Sequence, residues 1–201
     1  VEYPTDWSGS HLVNNIDLSA IFVQPMVSVK LLEDLSVGGG PILAIGGVNF
    51  NRNLSRNLTD IDGNRSNVTI DSQGLTAFGF SVGALITPND QWSFGVNYRS
   101  RIDIDVEQGD GDAVFSNVPN SPLAPIANGT YDFTATLPLP AEWTVGVSYK
   151  PSDKWILNFD WNYAEWDAYE ALDIMFLNTD GSLALESINP RNYKNASSYR
   201  L

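Results

Sequence analysis

Apolar and polar side chains alternate along much of this chain with a period of two. The longest run puts Trp92, Phe94, Val96, Tyr98, Ile102, Ile104 and Val106 on one face, with Ser100 among them. Ser93, Gly95, Asn97, Arg99, Arg101, Asp103 and Asp105 take the other. Such alternation predicts one extended strand over 92–106 with an apolar and a wet face. Strands of soluble domains average about 5–6 residues. A bilayer needs about 9–11 tilted residues, so this run is long enough to cross one.

Similar segments recur. A first strand is expected over Leu12–Leu31, with Ile16, Leu18, Ala20 and Phe22 on one face. At Gln24-Pro25 the phase shifts to Val27, Val29 and Leu31, and the missing proline N–H suggests a bulge. A second strand spans Leu35–Asn49, followed by a polar loop over 51–68. A third, Asp71–Thr87, sets Phe78, Phe80, Val82, Ala84 and Ile86 against Gln73, Ala77, Gly79, Ser81 and Gly83, with Leu75 and Leu85 as exceptions. After a second loop over 108–129, a strand over 131–150 is interrupted by Leu137-Pro138-Leu139-Pro140. Trp155, Leu157, Phe159, Trp161 and Tyr163 mark the next strand, and weaker ones are expected at 171–177 and after Ile188.

The connections alternate between short and long. Gly83…Pro88-Asn-Asp-Gln-Trp92 is echoed by Gly146…Pro151-Ser-Asp-Lys-Trp155. Short turns at one end and long loops at the other are the asymmetry of an outer-membrane barrel. Trp92 and Trp155 then fall where an aromatic girdle is expected. The aromatics Phe78, Phe80, Phe94, Trp155, Phe159 and Trp161 share the face assigned to lipid. The fold expected is all-β: an antiparallel transmembrane β-barrel, partial, with about seven or eight strands of a larger barrel. Residues 1–201 read as one region of it. A chain starting at Val1 and ending at Tyr199-Arg200-Leu201 reads as a piece of a longer protein.

Composition narrows the function. Lys plus Arg is 11 and Asp plus Glu is 24, a net charge of -13, which argues against nucleic acid as a partner. There is no cysteine and one histidine, His11, so thiolate metal sites and histidine-based catalysis are not expected. His11 lies near Ser8 and Asp6, but triads are defined by geometry, and no elbow motif accompanies them. Asp60-Ile-Asp-Gly-Asn64 and Gly109-Asp-Gly-Asp112 lack the spacing of a calcium loop and read as solvated outer loops. Asn57-Leu-Thr and Asn128-Gly-Thr match a glycosylation pattern that has no meaning in a bacterial outer membrane.

Thr5-Asp6-Trp7-Ser8-Gly9, Phe94-Gly-Val-Asn-Tyr-Arg-Ser100 and Leu137-Pro-Leu-Pro-Ala-Glu-Trp-Thr-Val-Gly-Val-Ser-Tyr-Lys-Pro-Ser-Asp-Lys-Trp155 resemble the FadL/TodX family of outer-membrane transporters. The resemblance implies passive uptake of long-chain fatty acids or other hydrophobic small molecules through a barrel of about fourteen strands in the bacterial outer membrane. Membrane lipid and lipopolysaccharide would surround it. It implies no cofactor and no enzymatic activity. The family's plug and lateral opening would lie before Val1.

Arg99, Arg101 and Lys150 are the candidate substrate-binding residues, lumen-facing cations able to hold a carboxylate head group. The plainer reading is a ladder of ion pairs with Asp103, Asp105 and Asp160. Two other readings stay open: a general porin or adhesin barrel, and a soluble carbohydrate-binding β-sandwich.

Overall fold

Each alternating segment becomes strand in the computed structural model, which describes every residue except Val1, Thr5, Asp6, Arg56 and Leu123. Thirteen strands form one antiparallel sheet: β1 (Asn15–Val23), β2 (Val27–Lys30), β3 (Leu35–Asn53), β4 (Asn67–Asn89), β5 (Trp92–Arg99), β6 (Ile102–Val106), β7 (Gly111–Ser116), β8 (Gly129–Leu139), β9 (Glu142–Ser152), β10 (Trp155–Ala164), β11 (Ile174–Leu177), β12 (Leu183–Ser187) and β13 (Ala196–Arg200). The only helical element among the described residues is a single 3-10 turn, Trp166–Ala168.

With β1 and β2 counted as one, seven strands build a curved wall by neighbour pairing, in the order β1/β2, β3, β4, β5, β9, β10, β13. The sheet does not close on itself. This is a partial antiparallel barrel of the expected size. Short turns join β2 to β3, β4 to β5 and β9 to β10 at one rim, and the long connections lie at the other.

The outer face carries exposed apolar side chains, among them Phe78, Val82, Phe94 and Phe159. Two aromatic levels bound this band. At the short-turn rim Trp92 stacks on Tyr149 with ring centroids 4.2 Å apart, and Trp155 is 66% exposed. Six residues up β5, about 20 Å at 3.4 Å per residue, Tyr98 meets Trp143 at 4.7 Å. Tyr163 is paired to Trp143 at that level. An apolar band of about 25 Å between aromatic girdles is the signature of a lipid-facing barrel wall.

The expected single strand over 92–106 is broken at Ser100-Arg101. β5 pairs with β4 and β9, whereas β6 pairs with β8. β6 folds onto the inner side of the wall. A Cβ at Gly79 would lie 2.5 Å from Ile102 Cγ1, so only glycine admits this crossing. Phe94 and Val96 face outward and are exposed, while Ile102, Ile104 and Val106 are buried. The alternation is continuous, but its apolar face passes from lipid to protein.

β4, β7, β8 and β6 roll into a small structure at the long-loop rim. Its core includes Val68, Ile70, Ile104, Phe115, Phe133 and Phe176. Phe115 and Phe176 meet edge to face at 4.9 Å.

Three other expectations change. The first strand has no bulge at Pro25: Val23 pairs with Leu43 and Val27 with Gly39, four residues apart on both chains. The proline interrupts the ladder without adding a residue. Ile16, Leu18, Ala20 and Phe22 therefore share the inner face with Phe50, Val48, Gly46 and Ala44, and Val27 and Val29 take the outer one. The polar loop begins later and ends earlier than 51–68, because β3 runs to Asn53 and β4 starts at Asn67. There Asn51 Nδ2 donates to Asn67 Oδ1 and Thr69 Oγ1, both at 2.7 Å, an asparagine ladder where the lipid-facing residues stop. The second loop, 108–129, contains β7.

The bulge sits in β4 instead. Between Gly46↔Leu75 and Val48↔Ser72 the register shifts, and Gly74 has φ 74°. Parity switches there, so Leu75 and Ala77 below and Ile70 and Val68 above all enter the core.

Candidate lumen site

Side chains on the inner wall sit in rows set by the register. One row runs Ser28, Gly38, Gly83, Asn97, Thr144, Asn162. Thr144 Oγ1 donates to Asn162 Oδ1 at 2.8 Å. The next row toward the short turns runs Lys30, Ser36, Leu85, Gly95, Gly146, Asp160, Arg200. Small side chains on adjacent strands leave a concavity of about 540 Å3, lined by Met26, Gly38, Gly83, Leu85, Gly95 and Asn97 among others.

The three candidate cations are dispersed, and each is paired with a carboxylate. Arg99, opposite Ser81 on the inner face, forms a 3.1 Å ion pair with Glu142 across the β5–β9 pair. Arg101 lies past the break and bonds Asp103 at 2.7 Å. Lys150 lies near the short-turn rim, 3.2 Å from Asp153. Of the three acidic partners expected, Asp103 is the one that pairs with a candidate cation, Arg101; Arg99 and Lys150 pair with Glu142 and Asp153 instead. Asp105 accepts a 2.6 Å hydrogen bond from Thr136 Oγ1, and Asp160 stands opposite Arg200 in the register.

The residues missed from sequence are apolar. Leu18 (57% exposed), Phe22 (39%) and Leu85 (46%) stand uncovered on the inner face, and Met26 lines the concavity beside Leu85. Leu18, Phe22 and Met26 recur every four residues, an even spacing that keeps one face of an extended chain. The signal was present in β1, whose two faces are both apolar.

At the outer loops, Asp60 bends the 54–66 connection by accepting from Asn64 N at 2.8 Å, Asn64 Nδ2 at 2.9 Å and Asp62 N at 2.9 Å. These bonds, the Asn64 side chain first, hold its carboxyl below the ordinary aspartate value. No group of three or more metal-ligating side chains occurs among the described residues. Ser8 is exposed, and His11 Nδ1 is buried without a hydrogen-bond partner. Asp6, the third member considered with them, and Thr5 of the first motif lie outside the described residues.

Known proteins share this architecture. A FadL homologue of Pseudomonas aeruginosa superposes with a TM-score of 0.73 at 16% identity, covering 98% of this chain and 48% of that one. The Ralstonia pickettii toluene transporter TbuX gives 0.70 at 19% identity, covering 92% and 51%. The Pseudomonas putida toluene transporter TodX gives 0.69 at 15%, covering 90% and 50%. The chain spans about half the length of these structures. No curated protein matches it in sequence. The family model for outer membrane protein transport proteins (OMPP1/FadL/TodX) matches residues 1–201. With the lipid-facing wall and its two aromatic levels, that match over the whole chain places the protein in the OMPP1/FadL/TodX family of outer membrane transport proteins.

Proposed function

We propose that this chain forms part of the wall of a passive channel that carries hydrophobic small molecules across the bacterial outer membrane. The observation that carries the reading is the apolar inner stripe of Leu18, Phe22, Met26 and Leu85. A water-filled lumen gains nothing from it, since exposed apolar surface costs about 25 cal/mol per Å2. A hydrophobic cargo in transit would cover it. The same stripe weighs against a general porin, whose lumen is polar.

Long-chain fatty acids belong to this cargo class. For a carboxylate head group Arg99 is the best placed of the three cations, because it stands mid-wall on the inner face opposite Ser81 and Glu142, whereas Arg101 lies past the strand break and Lys150 lies near the short-turn rim. Lipid and lipopolysaccharide would contact the outer face. The full-length protein in liposomes tests the reading. Uptake of toluene or a long-chain fatty acid with exclusion of arabinose is expected. Arabinose entry without hydrophobic uptake would establish a general porin instead.

A further inference from the structure

The outer face changes chemistry part-way up β1, β3 and β4. Ile21, Ile45 and Phe78 are exposed there, and beyond them the side chains turn polar. One row of the register runs Asp17, Asn49, Asp71, Asp112 and Asp132 across β1, β3, β4, β7 and β8. The next runs Asn15, Asn51, Thr69, Val114 and Thr130 on the same strands. With about 3.4 Å per residue and a tilt of about 40°, Asn49 stands about 36 Å above Leu35, roughly 10 Å beyond an apolar band of about 25 Å.

The amides are held in place. Asn49 Nδ2 donates to Asp71 Oδ2 at 2.6 Å, and Asn15 Nδ2 donates to Asn49 Oδ1 at 3.2 Å. Together with the bonds from Asn51 to β4, these fix the side chains across three strands. Asp17 is exposed and makes no ion pair or hydrogen bond among the described residues. Asp17 and Asp71 flank Asn49 in one row, so two carboxylate acceptors bracket an amide. Neighbouring hydroxyls of a sugar ring, each both donor and acceptor, match such a set. Phosphate does not, because neither row contains a lysine or arginine. The carboxylates do not converge as a metal centre requires.

We propose that this polar face docks the sugar headgroup of a glycolipid in the outer leaflet of the membrane. Continuity with the lipid-facing wall selects the occupant. A glycolipid whose acyl chains cover Ile21, Ile45 and Phe78 carries its sugars up the same face to Asp17 and Asn49. The docking rests on the wall's outer-membrane placement and is independent of the cargo.

Binding of lipopolysaccharide to the folded full-length protein in detergent tests it. One preparation keeps the complete core oligosaccharide, and the other is truncated to lipid A and the innermost sugars. The complete core should bind about tenfold or more tightly, the order of one hydrogen bond to a charged group. Asp17→Ala, which removes no bond from the fold, should erase most of that difference. Asp90→Ala, the same charge change at the short-turn rim, should keep it, and so should chelation with EDTA. Equal affinity for the two preparations overturns the docking, as does a difference that Asp17→Ala leaves intact. Loss of the difference on chelation also overturns it and assigns the contact to a bridging cation. A folded protein whose Trp155 is not quenched by brominated lipid overturns the membrane placement itself, and the docking with it.

Discussion

Ser100 and Phe80 exchange two hydrogen bonds where β5 leaves the wall. The Ser100 amide donates to the Phe80 carbonyl at 2.9 Å, and the Phe80 amide donates to Ser100 Oγ at 2.9 Å. The side chain thus takes over one ladder bond as the backbone turns inward, and Ser100 is 7% exposed. Ser100→Ala would strand the Phe80 amide. An unsatisfied buried donor costs about 1–3 kcal/mol, so denaturant unfolding in detergent should show a loss of that order. A loss below about 0.5 kcal/mol, the low end for one hydrogen bond, would mean the junction is held by other contacts.

Gly74 places a second test on the backbone alone. Its φ is 74°, and nothing lies within 4 Å of a Cβ built there. Gly74→Ala therefore meets no clash, but the left-handed conformation disfavours it by about 1–2 kcal/mol. Unfolding measurements should find that loss. An unchanged stability would mean β4 can shed the bulge, and the parity switch that buries both Leu75 and Ile70 would lose its explanation.

Asp60 links the outer loop to pH. Its folded pKa is depressed by Asn64 and by the loop amides. A depressed carboxyl contributes stability that is present above its unfolded value, near 3.8, and is lost as pH falls through the folded value. NMR titration should give an Asp60 midpoint below that of a free aspartate, and Asn64→Ala should raise it toward the free value. The Asn64 amide should lose exchange protection only as the Asp60 carboxyl protonates.

Arg99 and Glu142 are each more than 30% exposed on their side chains, so their pair contributes little to stability. A double-mutant cycle should return about 0.2–1 kcal/mol. Binding should respond more. Glu142→Gln frees the guanidinium and should tighten binding of a long-chain fatty acid, whereas Arg99→Gln should weaken it, with toluene binding unchanged in both. Displacement of a fluorescent fatty acid reads this out, and equal binding by all three proteins would remove Arg99 from the cargo's path.

Much of the wall was legible in the sequence, because lipid imposes one rule on a whole face. Trp92, Phe94, Val96 and Tyr98 obey it, and Pro88-Asn89-Asp90 and Pro151-Ser152-Asp153 mark the short turns. What escaped has a common cause: a period of two reports which side chains share a face, and not what that face meets. Ile102, Ile104 and Val106 continue the pattern of Phe94 and Val96 yet enter a protein core, since β6 crosses inside Gly79. In β1 both faces are apolar, so periodicity alone could not tell that Phe22 looks into the lumen and Ile21 toward lipid. The Arg99–Glu142 pair joins strands distant in sequence, and only register brings it together. Leu85 was visible as an exception to its face, and the fold places it with Met26 in the inner concavity.

The most direct test of this two-sided wall is tryptophan quenching by brominated lipids in single-tryptophan variants of the full-length protein. Trp155 projects from the outer face at the short-turn rim, 66% exposed. Trp7 stacks on Tyr3 and donates Nε1–H to the Val13 carbonyl beyond the long-loop end of the wall. Strong quenching of a Trp155-only protein with weak quenching of a Trp7-only protein is the expected result. Equal, weak quenching at both positions in a folded protein would contradict the membrane-facing assignment.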